Sequence, residues 1–541
     1  MATVNQADAE FSVLVGNQEN LSTTQGRAES LVIRPPTRWG ATIELSDSSD
    51  IDRSRQDTEP EELNYSAGVE FPANLNLDNM RKFLGPILYA EPLNNHLDNL
   101  PVTATDGNNG GFQLAGATGV TVDAGTLLVG KNFEDHRNNG LHVVAEANNG
   151  QNTNLRVNGL QAQTGAGGRL YPGGRRVTVG SNASYTYTSM TKTAALVFDA
   201  EVSGLRKGMR VFIGSLAADG TSAQNAMSVT TPITGASHNP TQVYGRCRVV
   251  SINTVSNKTT ITFDKLDPRL RRDAEVSGTI DLRFGIAGNN AAVTNNQFRN
   301  YWMAFQRALP GLGNTGNAQQ DARFSYVLPC RMGDLSISLA NNSVAEMTAT
   351  FEGKCETEEL ATARMNSAGD ILPPAGYEAF DNPLESLLTA QMTTTRRIKR
   401  VRFDQDQEGV QANVVDVTHN FTNNVGSGNY HGGRGSERIF RGRFRLTSDF
   451  TLTYEDPQLA AYINQGARLS YDETITSNDG SIDFDIPSFR MTSDGLSFPE
   501  NEDITIAGTA RTFRNTNFDS TIMIGVTYDD LPDPAFVIGH C

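Results

Sequence analysis

The sequence has few of the patterns that mark membrane spans, disulfide frameworks or metal sites. No apolar run approaches the roughly 18 consecutive apolar residues that a membrane helix needs, which argues against a membrane protein. The N-terminus, MATVNQADAEFSVLVG, has no basic region followed by an apolar stretch, so we predict no secretory signal and expect folding in a cytoplasm. The 4 cysteines show no C-x-x-C spacing, so we expect reduced, mostly packed thiols at Cys247, Cys330, Cys355 and Cys541.

Common catalytic motifs are missing as well. The 7 histidines form no H-E-x-x-H pair, and the chain has no G-x-S-x-G elbow and no P-loop. His136 and His142 are close in sequence, but we expect them to be ordinary surface or turn histidines. The glycine-rich run 165–176 lacks the strand-to-helix context and the Lys-Ser/Thr end of a phosphate loop, so we predict a flexible loop.

Two further segments match binding motifs only in part. Residues 404–409 begin like a calcium loop, but the twelfth position is Val415, where a bidentate Glu is required. The basic run 396–402 alternates with apolar residues, and we favour a strand edge or an inter-subunit contact over a nucleic-acid site. Carboxylates are frequent, and nothing singles out a glycosidase-like pair. We therefore predict a protein that is not an enzyme, with no catalytic, cofactor-binding or metal-binding residues.

Turn-forming residues are abundant instead. The chain has 50 glycines, and Asn-Gly or Asp-Gly pairs recur, as at Asn139-Gly140 and Asp479-Gly480. Such pairs favour tight turns because Asn, Asp and Gly tolerate positive φ. Between them lie stretches of alternating apolar and polar residues, such as 260–263 and 444–447. These patterns predict a mainly β protein.

A set of elements recurs in the same order in two parts of the chain, which indicates an internal duplication. The matched elements are a strand with a polar loop at 37–56 and 414–433, a strand leading into an amphipathic helix at 63–85 and 444–466, and a proline-ended strand with an Arg-Met pair and a hairpin at 326–353 and 484–511. We predict that the first helix stops at Gly85-Pro86. The second should begin with Asp456 as N-cap and Pro457, and end before Gly466.

The first copy is interrupted by a long segment of different charge. Residues 115–285 carry 18 Lys+Arg and 12 Asp+Glu, a net charge of +6, so the remaining residues carry −22 of the total of −16. This segment has a weaker repeat of its own, which predicts one or two small β modules. We expect it to tolerate replacement by a short linker, because insertions in surface loops cost little entropy.

These patterns resemble the tail tube proteins (major tail proteins) of long flexible-tailed, siphovirus-like bacteriophages. The resemblance lies in W-G-A-T-I-E-L-S followed by Y-S-A-G-V-E-F-P and N-M-R-K-F-L, in the stretch 328–354, and in residues 413–513 with the helix D-P-Q-L-A-A-Y-I. It implies two tandem tail-tube-type β-sandwich domains, each with one flanking helix, plus an inserted small β module. The expected division is an N-terminal arm 1–36, a discontinuous first tube domain 37–110 and 286–356, an insert 111–285 on the tube exterior, a connector 357–395, a second tube domain 396–530 and a C-terminal tail 531–541.

The resemblance also implies a function and partners. The chain would polymerise into stacked rings, three chains to a pseudo-hexameric ring, and form the hollow tail tube through which genomic DNA is ejected. Its partners would be other copies of itself, the tape measure, tail terminator and distal tail proteins, and double-stranded DNA that passes without sequence-specific binding. It would be located in the virion after assembly in the host cytoplasm. The arm, the connector and the loops 46–62 and 422–437 are candidates for bridging rings, and the acidic scaffold predicts an acidic lumen that repels DNA weakly.

Two other functions fit a mainly β chain. One is another virion protein, such as a capsid or decoration protein, although a decoration protein needs no repeated strand-helix-hairpin scaffold. The other is a glycan-binding adhesin-like surface protein, which should present exposed aromatic platforms. The chain has only 2 tryptophans, and Trp39 lies in a recurrent strand.

Overall fold

The computed structural model shows a mainly β protein, which confirms the fold class predicted from the turn and alternation patterns. It describes residues 9–19, 21–46, 61–106, 111–114, 120–149, 154–157, 160–164, 167–179, 183–199, 201–216, 223–224, 227–229, 242–256, 258–290, 299–309, 323–359, 363–367, 370–394, 398–405, 408–410, 414–428, 438–454, 457–497 and 503–528. Within these residues there are two α-helices, α1 (Leu77–Leu88) and α2 (Pro457–Asn464). Short 3-10 helices occupy Asn95–Leu97, His136–Asn138, Pro268–Leu270 and Glu378–Phe380.

Most strands belong to two large antiparallel sheets of sixteen strands each. The first sheet contains Glu10–Gly16, Glu29–Ser30, Arg38–Ser46, Glu61–Asn74, Ile286–Asn289, Trp302–Leu309, Arg323–Leu339, Glu346–Glu359, Ile398–Gln405, Glu408–Val410, Val414–Thr422, Arg445–Thr453, Leu469–Thr476, Ser481–Ser497, Thr505–Thr512 and Met523–Thr527. It is therefore built from both ends of the chain and from the middle.

The second sheet is formed entirely by the segment between Leu100 and Arg283. Its strands are Leu100–Asp106, Gly111–Leu114, Thr126–Lys131, Gly140–Val143, Asn154–Arg156, Gln163–Thr164, Arg169–Thr178, Ser184–Thr188, Thr193–Phe198, Arg210–Ile213, Met227–Val229, Gln242–Val243, Gly245–Val255, Lys258–Asp264, Ala274–Glu275 and Thr279–Arg283. Four two-stranded ribbons pair Thr121–Val122 with Asn148–Asn149, Ser215–Leu216 with Ala223–Gln224, Arg364–Met365 with Ile371–Leu372, and Gly426–Gly428 with Arg438–Phe440.

The first sheet contains the same strand order twice. In what we call the first unit, neighbouring strands follow the order 38–46, 61–74, 346–359, 323–339, 302–309 and 10–16. In the second unit the order is 414–422, 445–453, 505–512, 481–497, 469–476 and 398–405. In both units the second strand of this order is followed in the chain by an α-helix. The repeated sequence elements thus occupy matching places in the sheet.

The two units are joined edge to edge through one strand pair. The C-terminal half of the strand Arg323–Leu339 pairs with the strand Val414–Thr422, with Leu335 opposite Phe421 and Leu339 opposite Val417. These four side chains are buried, and one hydrophobic cluster runs without a break from the first unit into the second. We call this strand pair the internal junction.

Helix α1 packs against the first unit with every residue buried. Asn76 caps it by accepting a hydrogen bond from the Asn79 backbone N–H at 2.7 Å. The helix does not stop at Gly85-Pro86, as the sequence predicted, but continues to Leu88. Burial of Ile87 and Leu88 in the core extends it by this last partial turn. Gly85 serves a different purpose: a Cβ there would lie 2.8 Å from the Tyr301 ring.

Helix α2 begins at Pro457 and ends as predicted. Gly466 has a φ of 61°, and the Ala467 N–H bonds to the Tyr462 carbonyl at 2.9 Å, which closes the C-terminus. Leu459 and Ile463 are buried against the sheet. The predicted N-cap, Asp456, lies outside the described residues. The Asp479-Gly480 turn also forms, between the strands Leu469–Thr476 and Ser481–Ser497.

The inserted segment starts earlier in the structure than the charge pattern suggested. The division expected from the sequence puts 100–106 in the first tube domain. In the structure, the strand Leu100–Asp106 pairs with Gly111–Leu114 and Arg169–Thr178 in the second sheet. The segment has two hydrophobic clusters, one within 97–170 and one within 177–284 that also takes in Ala287 and Met523 of the first sheet. The glycine-rich run is not a flexible loop at its C-terminal end, because Arg169–Thr178 is a strand; residues 165 and 166 lie outside the described part.

Parts of the N-terminal arm and the connector pack on the first unit. The strand Glu10–Gly16 pairs along its whole length with Trp302–Leu309. In the connector, Ala379 and Leu384 exchange backbone hydrogen bonds with Ala28, and Tyr377 stacks on Tyr326 at a ring distance of 3.7 Å. These residues are therefore already engaged within the chain. Most of the two loops proposed to bridge rings, together with the C-terminal tail 531–541, lies outside the described residues.

Candidate functional site

A buried ion network joins the inserted segment to the second unit. Its cations, Arg210, Arg246, Arg248 and Lys265, come from the insert, and its carboxylates include Asp472, Asp483 and Asp485 of the second unit. All of these side chains are at most 7% exposed. Arg246 and Arg248 are alternate residues of one strand, and Asp483 and Asp485 are alternate residues of another, so each pair faces one side of its sheet.

The distances in this network are those of direct ion pairs. Arg248 Nη1 lies 2.9 Å from Asp485 Oδ1, and Arg246 Nη1 lies 3.2 Å from Asp483 Oδ1. Lys265 Nζ lies 3.0 Å from Asp472 Oδ1, and Arg210 pairs with the same carboxylate. Contacts of this kind hold two sheets in one relative position, since each buried charge would be costly without its partner.

Arg248 binds two carboxylates, Asp264 of the insert and Asp485 of the second unit. Its Nε and Nη2 donate to the two carboxylate oxygens of Asp264 at 2.9 and 2.6 Å, and its guanidinium lies 4.4 Å from the Phe518 ring centre. Burial alone would raise the pKa of Asp264, but Arg248, with smaller contributions from Lys265 and Arg210, outweighs burial and lowers that pKa. Burial has the opposite result at Lys265, where it lowers the ammonium pKa.

The charge contrast in the sequence is therefore partly an internal pairing. Three acidic residues of the scaffold are neutralised by cations of the insert inside the protein. They do not contribute to a charged surface. The acidic excess of −22 thus overstates how negative the exposed scaffold is. Buried ion pairs attach the insert to the second unit, so we now expect its replacement by a short linker to destabilise the protein, contrary to the expectation from the sequence.

A second buried network anchors helix α1. Asp78 binds Arg81 and Lys82 of the same helix, with 2.6 Å between Lys82 Nζ and Asp78 Oδ2. Arg81 also pairs with Glu29 of the N-terminal arm and with Asp98, which leads into the insert. Burial raises the pKa of Asp98, whereas Arg81 and Lys82 more than offset burial at Asp78 and lower its pKa. The helix thus fixes the start of the insert to the first unit.

One arrangement in the second unit has the residue types of a hydrolase triad. Ser448 Oγ lies 2.8 Å from His419 Nδ1, and His419 Nε2 lies 3.7 Å from Glu473 Oε2. All three side chains are at most 1% exposed, and aromatic rings of Phe450, Tyr471 and Phe484 surround the imidazole. A buried Ser448 cannot reach a substrate, so the geometry fits a polar element of the core. No sequence motif predicted this arrangement, because the three residues lie on different strands.

The segments singled out in the sequence have ordinary structural surroundings. His142 Nε2 bonds the Asn138 carbonyl oxygen at 2.9 Å, and burial lowers the pKa of this histidine; His136 lies in a 3-10 turn. Of the arginines in the glycine-rich run, Arg175 pairs with Asp123 and Arg176 pairs with Asp281, while Arg169 donates to the Gly168 carbonyl.

The remaining candidate segments lie in strands. Residues 404–405 pair with 408–409 in a hairpin, and 406–407 lie outside the described residues. The basic run is the strand Ile398–Gln405, paired with Leu469–Thr476. Cys247 and Cys330 are buried and Cys355 is exposed, all as free thiols. In the described part of the chain, no three His, Cys, Asp or Glu side chains cluster as metal ligands, and neither helix could span a bilayer.

Two open strand edges of the first sheet are a further surface feature of the described residues. The strand Arg38–Ser46 pairs with Glu61–Asn74 on one side only, within the described residues. The segment 490–497 pairs with Thr505–Thr512, and its opposite edge likewise meets no described strand. Open edges expose backbone N–H and C=O groups and favour pairing with another strand. A scan against protein-family models and a search of curated proteins both found no match.

Proposed function

We propose that this chain is a structural protein that polymerises into stacked rings and forms a phage tail tube. The observation that supports this most strongly is the strand order repeated twice in one continuous sheet, with an open edge at each end. A unit that joins its own copy edge to edge can join further copies in the same way. Such a head-to-tail contact closes into a ring when the rotation per unit allows it.

The resemblance of residues 37–85, 328–354 and 413–513 to tail tube proteins supports the same function. In this proposal the two units are two copies of one tube-type domain, so three chains supply the six positions of a ring. Stacked rings would enclose double-stranded DNA without reading its sequence, and the ends of the tube would meet tape measure, terminator and distal tail proteins. The protein would then be located in the virion, after assembly in the host cytoplasm.

Electron microscopy of the purified protein tests this proposal. Negatively stained samples at increasing concentration should contain hollow rods or rings, and a symmetry-resolved reconstruction should show three chains per ring. Native mass spectrometry of short assemblies should give masses in multiples of three chains. A protein that stays monomeric over the whole concentration range contradicts the function, and six chains per ring would contradict the fused-copy stoichiometry.

A further inference from the structure

The internal junction shows how one unit binds the next. On the core-facing side of this pair, Leu335 lies opposite Phe421 and Ile337 lies opposite His419. On the other face, Ser336 Oγ donates to Asn420 Oδ1 at 2.9 Å. The junction therefore combines backbone pairing, an apolar cross-strand pair and a side-chain hydrogen bond, which are the ordinary stabilising contacts of an antiparallel sheet.

The repeat assigns each junction residue an equivalent at an open edge. Tyr65 and Leu446 occupy the same place in the repeated segments 63–85 and 444–466. Tyr65 lies opposite Ile43 in the first unit, and Leu446 lies opposite Phe421 in the second unit. Ile43 is therefore the equivalent of Phe421.

The same reasoning applies to the other strand. In the first unit, Leu335 lies opposite Ala349, which in turn lies opposite Phe71. In the second unit, Leu496 lies opposite Ile506, which in turn lies opposite Leu452. Phe71 and Leu452 again share one place in the repeat. Each strand has a bulge of one extra residue shortly before the leucine, between Met332 and Asp334 in one and between Ser493 and Leu496 in the other. The strand pairing therefore makes Leu496 the equivalent of Leu335, although the sequence match of 326–353 with 484–511 by itself would put Ser493 there.

The exposure of these residues differs sharply. Leu335 and Phe421 are each 1% exposed in the internal junction. Their equivalents Leu496 and Ile43 are 43% and 47% exposed, and they are among the few large apolar side chains that the described surface leaves open. An apolar residue on an open strand edge is an aggregation liability that proteins normally avoid. Its presence at both predicted positions indicates that a partner covers it.

We propose that the segment 490–497 of one chain pairs antiparallel with the strand 38–46 of a second copy, with Leu496 opposite Ile43 and Ser497 opposite Thr42. This inference rests on the proposed function, since it names the contact by which the chains of a ring meet. The Ala41 backbone N–H is already bound by Glu356 at 2.7 Å, so the pairing lies on the C-terminal half of the strand 38–46. The contact between chains then has the register of the internal junction over the residues equivalent to 334–336 and 420–422.

Thiol cross-linking of the full chain tests the register. The background variant carries Cys355→Ser and Cys541→Ser, which removes the exposed thiol and the one outside the described residues. With Ile43→Cys and Leu496→Cys added, a short bis-maleimide that alkylates both thiols should join chains into a ladder that ends at the ring size, because opposed Cβ atoms lie about 5 Å apart. The control pair Thr42→Cys with Leu496→Cys places the thiols on opposite faces and should give at least about tenfold less product.

Charge substitution tests the contact in a second way. Ile43→Lys alone and Leu496→Glu alone should each raise the concentration needed for half-assembly by at least roughly tenfold, because each buries an unpaired charge. The double variant should recover most of the loss, since the new charges face each other. Val255→Lys, at a position 62% exposed in the second sheet, should assemble like the unchanged protein.

The outcomes separate this inference from the proposed function. Rods without cross-links, together with normal assembly of Ile43→Lys, would overturn the strand pairing and leave the tube intact. Cross-links in register, with reciprocal rescue but no rods, would support the pairing and count against the tube. Equal cross-linking by the face-flipped control pair would overturn the register.

Discussion

Substitution of Arg248 by methionine should loosen the contact between the insert and the second unit. Arg248 donates three hydrogen bonds to carboxylates, two to Asp264 and one to Asp485, at distances between 2.6 and 2.9 Å. Methionine has a similar reach but no charge. Arg248→Met therefore leaves two carboxylates in a buried site without their main cation.

The expected size of the effect follows from burial. Hydrogen bonds to charged groups contribute about 1.5–3 kcal/mol each, but desolvation of the guanidinium offsets much of that sum. Removal of one partner from a buried ion pair costs about 3–5 kcal/mol, mainly because the remaining charge stays buried. Lys265 and Arg210 lie near the same carboxylates and compensate in part, so we expect the lower end of this range, about 3 kcal/mol.

Hydrogen exchange followed by mass spectrometry is the suitable assay, because a chain of this size need not unfold in one step. Peptides that cover 245–264 and 469–485 should exchange on the order of a hundredfold faster in Arg248→Met at pH 7. The matched control is Arg38→Met, whose partner Glu352 lies 3.3 Å away at the surface, and which should cost no more than about 1 kcal/mol. If exchange in Arg248→Met changes less than in this control, the network does not hold the two sheets together.

Three further predictions follow from the same contacts. The lowered pKa values of Asp264 and Asp78 mean that the folded chain binds fewer protons than the unfolded chain. The stability that these two carboxylates contribute is therefore complete above the unfolded pKa of about 3.9 and is lost as pH falls through the lowered pKa values. Acid unfolding followed by circular dichroism should therefore begin below about pH 4, and Asp264→Asn should flatten the transition; an onset above pH 6 would contradict this. Replacing 100–283 by a Gly/Ser linker should leave an unstable protein, measured by soluble yield and thermal melting. Substitution of Asp472, Asp483 and Asp485 by Asn in the truncated chain should recover part of the lost stability. A fully stable truncation without those substitutions would argue that the network is dispensable. Assembled protein should not retain a short DNA duplex at physiological salt in a filter-binding assay, because the chain carries a net charge of −16, and tight retention would contradict a passive conduit.

Local patterns in the sequence predicted many of the elements of this protein. Alternating residues and turn pairs predicted the strands, and Pro457 with Gly466 predicted the second helix, because these signals act over a few residues. The recurrence of 37–85 in 414–466 predicted that two parts of the chain share one order of elements. The predicted helix end at Gly85-Pro86 was wrong because a helix end depends on packing as well as on local preference. The buried Ile87 and Leu88 extend the helix past Pro86.

The strand partners, the buried polar contacts and the burial of charges depend on contacts between residues that are distant in sequence. No local signal indicated that Glu10–Gly16 pairs with Trp302–Leu309, or that His419 meets Ser448 and Glu473, since these partners are distant in sequence and meet only through the sheet. The net charges of +6 and −22 were visible in the sequence, but composition cannot tell a surface charge from one neutralised inside the protein. Only the folded chain brings Arg248 to Asp485 and leaves Ile43 and Leu496 at open edges, because burial and exposure are properties of the whole packed arrangement.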